Sequence, residues 1–295
     1  GDVIIVYALR ALRDAKQLDR MNIMIVFDGD EEESGTPLEQ ARAALVEAAK
    51  GATAALGFED GAGDPKTAMT SRRGAGSWAL KSTGTPSHSG QIFTPEVGAG
   101  AVFESARVLN QFYTQLGHEQ YLTFNPGLAL GGTAVSLDST GTVGNASGKE
   151  NVVAEQMQVT GDLRTISPEQ FQKAESTMKQ IVSHPLPGTK SEISFETGYP
   201  PMAPTAGNAR LLAVYDKASR DVGSGGVVAV DPAKAGAADI SFVANLVPMS
   251  IDALGLSGHD DHTDKETADL RTLPVKTKRT AVFLLRLTNG AAKGN

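Results

Sequence analysis

The sequence has no cysteine among its 295 residues, which excludes disulfide bonds and thiolate metal ligands. Any zinc ion held by this chain must therefore be bound by histidine, aspartate or glutamate. Histidine is itself scarce, with five residues in the chain. No apolar run approaches the roughly 20 residues that a membrane-spanning helix needs. The sequence predicts neither a disulfide-stabilised fold nor a membrane span.

Clustered positive charge is also missing. Lysine and arginine total 27 residues against 34 acidic ones, giving a formal net charge of -7. Nucleic acids and anionic membrane surfaces require clustered basic side chains, so we expect neither as a partner. Peptides or small molecules fit this charge better. At about 150 residues per domain, the length predicts two domains.

A run of acidic residues follows an apolar stretch near the start of the chain. Residues 23–27 predict a strand, and five carboxylates follow within six positions: Asp28, Asp30, Glu31, Glu32 and Glu33. Ligands of α/β proteins usually bind at strand ends. Oxygen donors combined with a few distant histidines suit a divalent metal, and one further carboxylate can act as general base. We therefore expect metal-dependent catalysis at this strand end.

Two other interpretations of the acidic run remain open. The charges could form a solvated turn that favours the N-terminus of the next helix through its dipole. The spacing of Asp28, Asp30, Glu32 and Glu39 also matches a calcium-binding EF-hand loop, but Glu33 occupies the position of the turn glycine.

Hydrophobic periodicity and capping residues predict the order of elements. The middle of the chain predicts β-α-β-β-α-β, the order of a ferredoxin-like domain. The predicted ranges there are 76–83, 97–116, 121–137, 151–164, 167–183 and 192–197. Outside it, helices are predicted over 3–18, 36–49, 209–222, 238–246 and 273–287, and strands over 23–27, 53–58, 227–230 and 250–254. We predict an α/β domain, residues 1–71 and 203–295, with a mixed sheet flanked by helices. An inserted ferredoxin-like α+β domain, residues 72–202, interrupts it.

Polar residues mark further candidate sites. Glu59 and Asp60 follow the predicted strand 53–58, and residues 258–264, with His259 and His262, follow the strand 250–254. In the inserted domain the candidates are His88, Asn151 and Arg164. Taken singly, histidines in polar loops are more often surface groups than ligands, and an asparagine at this position more often forms a turn. An ordinary surface ion pair would explain Arg164 equally well.

Together, these motifs resemble the zinc exopeptidase family of glutamate carboxypeptidase, aminoacylase, acetylornithine deacetylase and succinyl-diaminopimelate desuccinylase. The resemblance rests on Asp30-Glu31-Glu32, Phe58-Glu59, Ser87-His88-Ser89-Gly90, Asp162-Leu163-Arg164 and residues 258–264, and it covers nearly the whole chain in order. It implies two zinc ions, a peptide or N-acyl amino acid substrate, and a homodimer formed through the inserted domain, which would act as a lid.

The resemblance also assigns roles to residues. It makes Glu31 the general base and places Glu32 and His262 on one zinc ion. Glu59 would bind the other zinc ion, with Asp60 as the alternative. In the lid, His88 would stabilise the oxyanion, and Asn151 and Arg164 would bind the terminal carboxylate of the substrate.

One part of the family pattern is absent. The upstream His-x-Asp segment and the metal-bridging aspartate have no counterpart, and Asp2 does not fall on a ligand position. We expect that upstream residues have been lost, and that this chain binds metal weakly and hydrolyses little. The rival interpretation is a metal-free homologue that acts as a binding protein. The sequence leaves the compartment open between cytoplasm and periplasm or outside the cell.

Overall fold

The computed structural model describes residues 1–31, 35–61 and 63–292, and these form two compact units. The split unit comprises Gly1–Arg73 and Tyr199–Asn295, and the inserted unit comprises Gly74–Gly198. The helices are α1 Asp2–Asp14, α2 Leu38–Ala41, α3 Ala43–Ala49, α4 Gly100–Leu116, α5 Pro168–Val182, α6 Ala206–Asp221, α7 Ser241–Ala244 and α8 Thr272–Thr288. The strands are β1 Ala55–Leu56, β2 Thr67–Ala68, β3 Gly76–Gly84, β4 Thr123–Gly132, β5 Ala134–Leu137, β6 Gly144–Ser147, β7 Gln156–Arg164, β8 Thr189–Thr197, β9 Val228–Ala229, β10 Ser250–Ile251, β11 Gly258–His259 and β12 Thr267–Ala268.

The inserted unit is built on one antiparallel sheet with the strand order β4-β7-β3-β8. Along β3, Trp78, Leu80 and Ser82 are buried while the residues between them are exposed, the alternation expected of a half-buried strand. Helices α4 and α5 cover the buried face with an apolar core. This is the ferredoxin-like arrangement predicted from the sequence. A role as lid stays a prediction.

Two details of the inserted unit differ from the sequence-based prediction. The stretch 121–137 divides into β4 and β5, and β5 pairs with β6 in a separate hairpin. Strand β7 begins at Gln156, so Asn151 lies in the turn before the strand rather than opening it. The predicted N-cap of α5 is confirmed, because the Ser167 hydroxyl accepts a hydrogen bond from the amide of Gln170 at 3.2 Å.

The split unit has short strands that form parallel pairs. Strand β1 pairs with β10, and β2 pairs with β9. An antiparallel bridge between Met69 and Asp252 joins the two pairs into a mixed sheet. Helices α6 and α8 pack on it around Tyr215 and Phe283, whose rings meet edge to face at 5.1 Å. Together with the inserted unit this gives the predicted mixed α/β fold. No helix in the described ranges is long and apolar enough to cross a membrane.

The predicted strand over residues 23–27 is wrong. This stretch forms no strand, and Met24 and Phe27 are 73% and 55% exposed. An apolar sequence gives only a tendency to extend, whereas a strand forms when a neighbouring backbone accepts and donates its hydrogen bonds. No such neighbour pairs with residues 23–27 within the described ranges.

The helix predicted over residues 36–49 is interrupted in the structure, and its N-cap differs from the prediction. Pro37 rather than Thr36 is its N-cap residue, and no side chain caps it. The helix breaks at Arg42, which has φ -100° and ψ 6° and separates α2 from α3. Arg42 is fully buried and forms ion pairs with Asp30 and Asp239.

Candidate active site

The acidic run of the split unit is attached to a buried arginine. Nη1 of Arg42 donates to Oδ1 of Asp30 at 2.8 Å, and Nε donates to Oδ1 of Asp239 at 2.6 Å. Burial raises the pKa of the nearby Asp28 carboxyl, and the charge of Asp239 raises it further. Burial acts to lower the pKa of Arg42, but its bonds to Asp239 and Tyr199 raise it above the ordinary range. The arginine therefore stays charged among these carboxylates.

Of the two glutamates predicted as base and ligand, the structure describes Glu31. The carbonyl of Glu31 accepts a hydrogen bond from the Tyr199 hydroxyl at 3.4 Å. Glu32 lies outside the described residues, so its predicted role as a metal ligand stays a prediction.

The strand end carrying Glu59 lies beside the loop that carries His262. The amide of Gly255 donates to the carbonyl of Glu59 at 2.8 Å, and the amide of Gly61 donates to the carbonyl of Leu256 at 2.8 Å. A parallel bridge between Gly61 and Ser257 continues this pairing. Because the two segments run parallel, both reach the same edge of the sheet, where ligands of α/β proteins usually bind.

Asp60 has the most perturbed carboxyl group at this edge. Burial raises its pKa to about 6, and the neighbouring charges of Asp261 and Glu59 contribute in the same direction. Carboxylates that destabilise one another in a partly buried place are stabilised when a cation binds between them. The influence of Asp261 on this pKa shows that Asp60, next to Glu59, lies close to the residue before His262.

The two histidines of the loop occupy different positions. His259 lies in β11, pairs with Thr267 of β12 and packs over Gly63. His262 has a φ of 62°, as does Asp260, a left-handed conformation that is uncommon for residues other than glycine. Four other non-glycine residues among those described, outside this loop, share the conformation. The choice of His262 over His259 as the metal ligand therefore stays a prediction.

The donors at this edge suit zinc chemically, since carboxylates and an imidazole are common zinc ligands. Within the described part of the chain, however, no three His, Asp or Glu side chains are arranged to hold one ion. The predicted ligands Glu59 and His262 are described, and Glu32 is not. The donor types are those of a zinc site, and zinc binding by these residues stays a prediction.

In the inserted unit, His88 and Asn151 lie side by side. The amide of Ser89 donates to the carbonyl of Asn151 at 2.9 Å, and His88 bridges Val152 in antiparallel fashion. Nδ1 of His88 accepts a hydrogen bond from the amide of Gly90 at 3.1 Å, and the ring is exposed. These two predicted site residues are therefore brought together.

Arg164 lies at the opposite end of strand β7 from Asn151. Arg164 is the last residue of β7, whereas Asn151 precedes its first residue. The strand spans about 26 Å at 3.3 Å per residue. Nε of Arg164 donates to Asp162 at 3.1 Å in an ion pair that is more than one third exposed. The structure does not bring Arg164 to His88 and Asn151 within one chain.

The sequence patterns gave no indication of several residues at these sites. Arg42 lies within a helical pattern, and Asp239 and Tyr199 belong to no recognisable motif, so only their spatial contacts single them out. Lys276 is buried near the strand end, donates to the carbonyl of Ala253 at 3.4 Å, and has its pKa lowered to about 8 by burial and by Arg279. No local signal in sequence distinguishes it from a surface lysine of an amphipathic helix.

These features define a two-unit α/β protein with polar side chains gathered at a strand end of its split unit. Residues 1–286 match the sequence profile described as Peptidase family M20/M25/M40. The chain belongs to this family.

A curated relative is Carboxypeptidase G2 from Pseudomonas sp. (strain RS-16), which is 25% identical over 297 residues, covering 98% of this chain and 65% of the relative. This chain thus spans about two thirds of the length of that enzyme. Two solved structures share the fold at 14% identity, each covering 97% of this chain and 70% of the other chain. They are the aminopeptidase PepT from Bacillus cereus ATCC 10987, with a TM-score of 0.69, and the Bacillus subtilis YXEP protein, a dinuclear metal-binding peptidase of the M20 family, with a TM-score of 0.66.

Proposed function

We propose that this chain carries much of the active site of a metal-dependent amidohydrolase of the glutamate carboxypeptidase kind. Its substrate would be a peptide or N-acyl amino acid with a free carboxylate beside the cleaved amide bond. The observation that supports this most is the parallel pairing that puts Glu59 and Asp60 at the same sheet edge as the loop of His262, in a chain of this family.

In this proposal Glu32 and His262 would hold one zinc ion and Glu59 would hold the other, with Asp60 as the alternative to Glu59. The metal, when bound, would supply a water of lowered pKa and a polarised carbonyl group. Glu31 takes a proton from the attacking water and passes it to the nitrogen of the leaving amine, which is the usual work of a general base.

His88 is suited to stabilising negative charge on the carbonyl oxygen. Since its Nδ1 accepts the bond from Gly90, a neutral ring carries its proton on Nε2. An exposed Nε2–H group is a hydrogen-bond donor, and donors of this kind often contribute about 3 kcal/mol to acyl-transfer reactions.

The positions of Asn151 and Arg164 support a homodimer formed through the inserted unit. One chain cannot place both on a single small carboxylate, because a strand about 26 Å long separates them. An active site that uses His88, Asn151 and Arg164 together would therefore take them from two copies of the chain.

The test is hydrolysis of N-benzoyl-glutamate by the zinc-loaded chain and by Glu31→Gln. We expect weak, zinc-dependent activity whose kcat falls by about 100- to 10,000-fold in the variant, because the proton acceptor is lost. Glu47→Gln on the exposed side of α3 is the matched control and should leave kcat unchanged. Activity that survives Glu31→Gln would refute the assignment of the base.

A metal-free binding protein is the second candidate, because the His-x-Asp segment and the bridging aspartate of the family pattern have no counterpart in this sequence. Equilibrium dialysis against zinc separates the two functions. We expect weak binding that Glu59→Gln weakens further, whereas the binding-protein interpretation predicts no zinc binding above that of a reference protein. Two tightly held zinc ions per chain would contradict our expectation of weak binding.

A further inference from the structure

Arg42 is a fully buried arginine at the break between α2 and α3. A guanidinium group is tolerated inside a protein when carboxylates and carbonyls accept its N–H donors. Its Nη1 bond reaches Asp30 in the acidic run, and its Nε bond reaches Asp239, which lies 197 residues further along the chain. The arginine thus ties the acidic run to the segment that leads into α7.

The same guanidinium also binds backbone. Its Nη2 donates to the carbonyl of Asp30 at 3.3 Å and to the hydroxyl of Tyr199 at 3.2 Å. Tyr199 in turn donates to the carbonyl of Glu31, and its ring packs edge-on against Phe242 at 5.1 Å. We call Arg42, Tyr199 and Asp239 the Arg42 clamp. The clamp binds two consecutive peptide carbonyls, those of Asp30 and Glu31.

Residues 30 and 31 need such support. They belong to no helix or strand, and the stretch before them, residues 23–27, is largely exposed. A catalytic side chain must be held within about 0.5 Å of its working position, so the backbone that carries it must be fixed. The clamp supplies hydrogen bonds to this backbone where regular secondary structure supplies none.

The clamp also offsets charge repulsion. The carboxylates of Asp28, Asp30 and Asp239 lie around one guanidinium, and like charges at such distances would otherwise separate into solvent. Removing the positive charge would therefore release the acidic run in two ways, by breaking its hydrogen bonds and by restoring the repulsion.

We propose that Arg42, held by Asp239 and Tyr199, is a positioning residue that fixes the backbone of Asp30 and Glu31 and so places the general base. This inference rests on the proposed function, in which Glu31 is that base. Arg42 acts through this backbone and is not assigned any contact with the substrate.

A buried ion pair that merely stabilises the fold is the alternative, and the chain contains a matched example. Nε of Arg72 donates to Oδ2 of Asp252 at 2.6 Å in the same split unit, and the guanidinium is buried like that of Arg42. The bonds of Arg72 lead to Asp252 and to the carbonyl of Gly236, and not to the acidic run. Loss of Arg72 should destabilise the unit without a specific effect on residue 31.

The positional part of the proposal is tested by a spin label, because the chain has no cysteine and a single introduced one labels cleanly. The label is placed at Glu31→Cys, with Glu47→Cys on exposed α3 as the reference site. In Arg42→Met we expect a several-fold shorter rotational correlation time at position 31 and no change at position 47. Arg72→Met should change neither site.

Two results would overturn the positional claim: an unchanged label at position 31, or equal mobilisation at both sites. This readout needs no activity, so it decides the claim even if the proposed function fails. Should Arg42→Met not fold, Tyr199→Phe removes only the hydroxyl that binds the Glu31 carbonyl and keeps the ring packing. It should mobilise position 31 to a smaller extent.

The catalytic part is tested by kinetics on N-benzoyl-glutamate. We expect Arg42→Met and Asp239→Asn to lower kcat by about 10- to 100-fold with KM within about twofold, the pattern of a misplaced catalytic group. Arg42→Lys keeps the charge and should recover part of the loss, and the exposed control Glu47→Gln should keep kcat. An unchanged kcat in Arg42→Met would overturn the catalytic part, whereas activity surviving Glu31→Gln would instead refute the proposed function.

Discussion

The two units of this protein are stabilised in different ways. The main sheet of the inserted unit has strands of nine or ten residues, with regular alternation along β3 and a continuous apolar core around Trp78 and Phe112. The split unit pairs strands of two residues and buries several charged side chains: Arg42, Arg72, Asp252, Lys276 and Arg279. Buried charges need specific partners and contribute little net stability, but they fix the positions of the groups around them. The difference suggests that the split unit holds its chemical groups through ion pairs, while the inserted unit relies on packing.

The largest effect should come from the apolar core of the inserted unit. Phe112 is completely buried and meets Trp78 edge to face at 5.7 Å. Phe112→Ala should lower the free energy of unfolding by about 3–5 kcal/mol through lost burial and a cavity. Trp78 is the single tryptophan, so its fluorescence during denaturation in urea reports the inserted unit.

The control for that variant is the next residue on α4. Tyr113 is 62% exposed, so Tyr113→Ala should change the free energy of unfolding by less than about 0.5 kcal/mol. Equal losses in Phe112→Ala and Tyr113→Ala would show that this unit does not depend on the core described above.

The next effect concerns the charges of the split unit. Asp252 is 1% exposed and accepts bonds from Arg72 and from the amide of Ala253. Asp252→Asn should cost about 3 kcal/mol, because it leaves a buried guanidinium without its carboxylate. Hydrogen exchange of the Gly57 amide, which donates to Ile251 in the neighbouring strand, measures this loss.

Asp14→Asn is the matched control in the split unit. Its ion pair with Arg13 is about 60% exposed, and such pairs contribute less than about 1 kcal/mol. The proposed dependence of this unit on buried charge would be wrong if the Gly57 amide exchanged as slowly in Asp252→Asn as in the unaltered chain.

The smallest effect concerns Glu104, a buried carboxylate in the inserted unit, which otherwise relies on apolar packing. Burial acts to raise the pKa of Glu104, but bonds from Arg107, Leu186 and Ser191 outweigh it and lower the pKa below its ordinary value of 4.5. A lowered folded-state pKa gives stability that is present above 4.5 and is lost as the pH falls through the folded-state value. Glu104→Gln should cost about 2 kcal/mol at pH 7 and less at pH 3.

Urea denaturation at both pH values, followed by the fluorescence of Trp78, measures this difference. Glu175→Gln removes an exposed helical ion pair with Lys179 and should cost less than about 0.5 kcal/mol at either pH. A cost of Glu104→Gln that does not depend on pH would contradict the role assigned to its charge.

The predictability of the fold differed between the units for a physical reason. In the inserted unit, long strands and helices each carry their own periodic pattern, so the order β-α-β-β-α-β and the Ser167 cap followed from local sequence. In the split unit the apolar stretch 23–27 carried an equally clear pattern, yet it forms no strand. Strand formation depends on a pairing partner, and the local pattern contains no information about one.

The candidate site also combines features that could be predicted from sequence with features that could not. The family was predictable from the order of its motifs along the chain, whereas the roles of Glu31, Glu59, His88 and His262 are implied by that resemblance and stay predictions. The backbone conformation of His262, with a φ of 62°, was outside the reach of sequence. The separation of Asn151 from Arg164 was within it, because the length of a single strand sets that distance.

The sequence by itself determined the chemical inventory of this protein: no thiolates, an acidic run, a few histidines and the periodic patterns of an inserted α+β unit. These follow from composition and from the local geometry of helices and strands. Only the tertiary structure decided that Arg42 and Asp239 meet across 197 residues and that two strand ends share one edge. Such contacts are set by the packing of the whole chain, because hydrogen bonds and ion pairs depend on distances in space and not on separation in sequence.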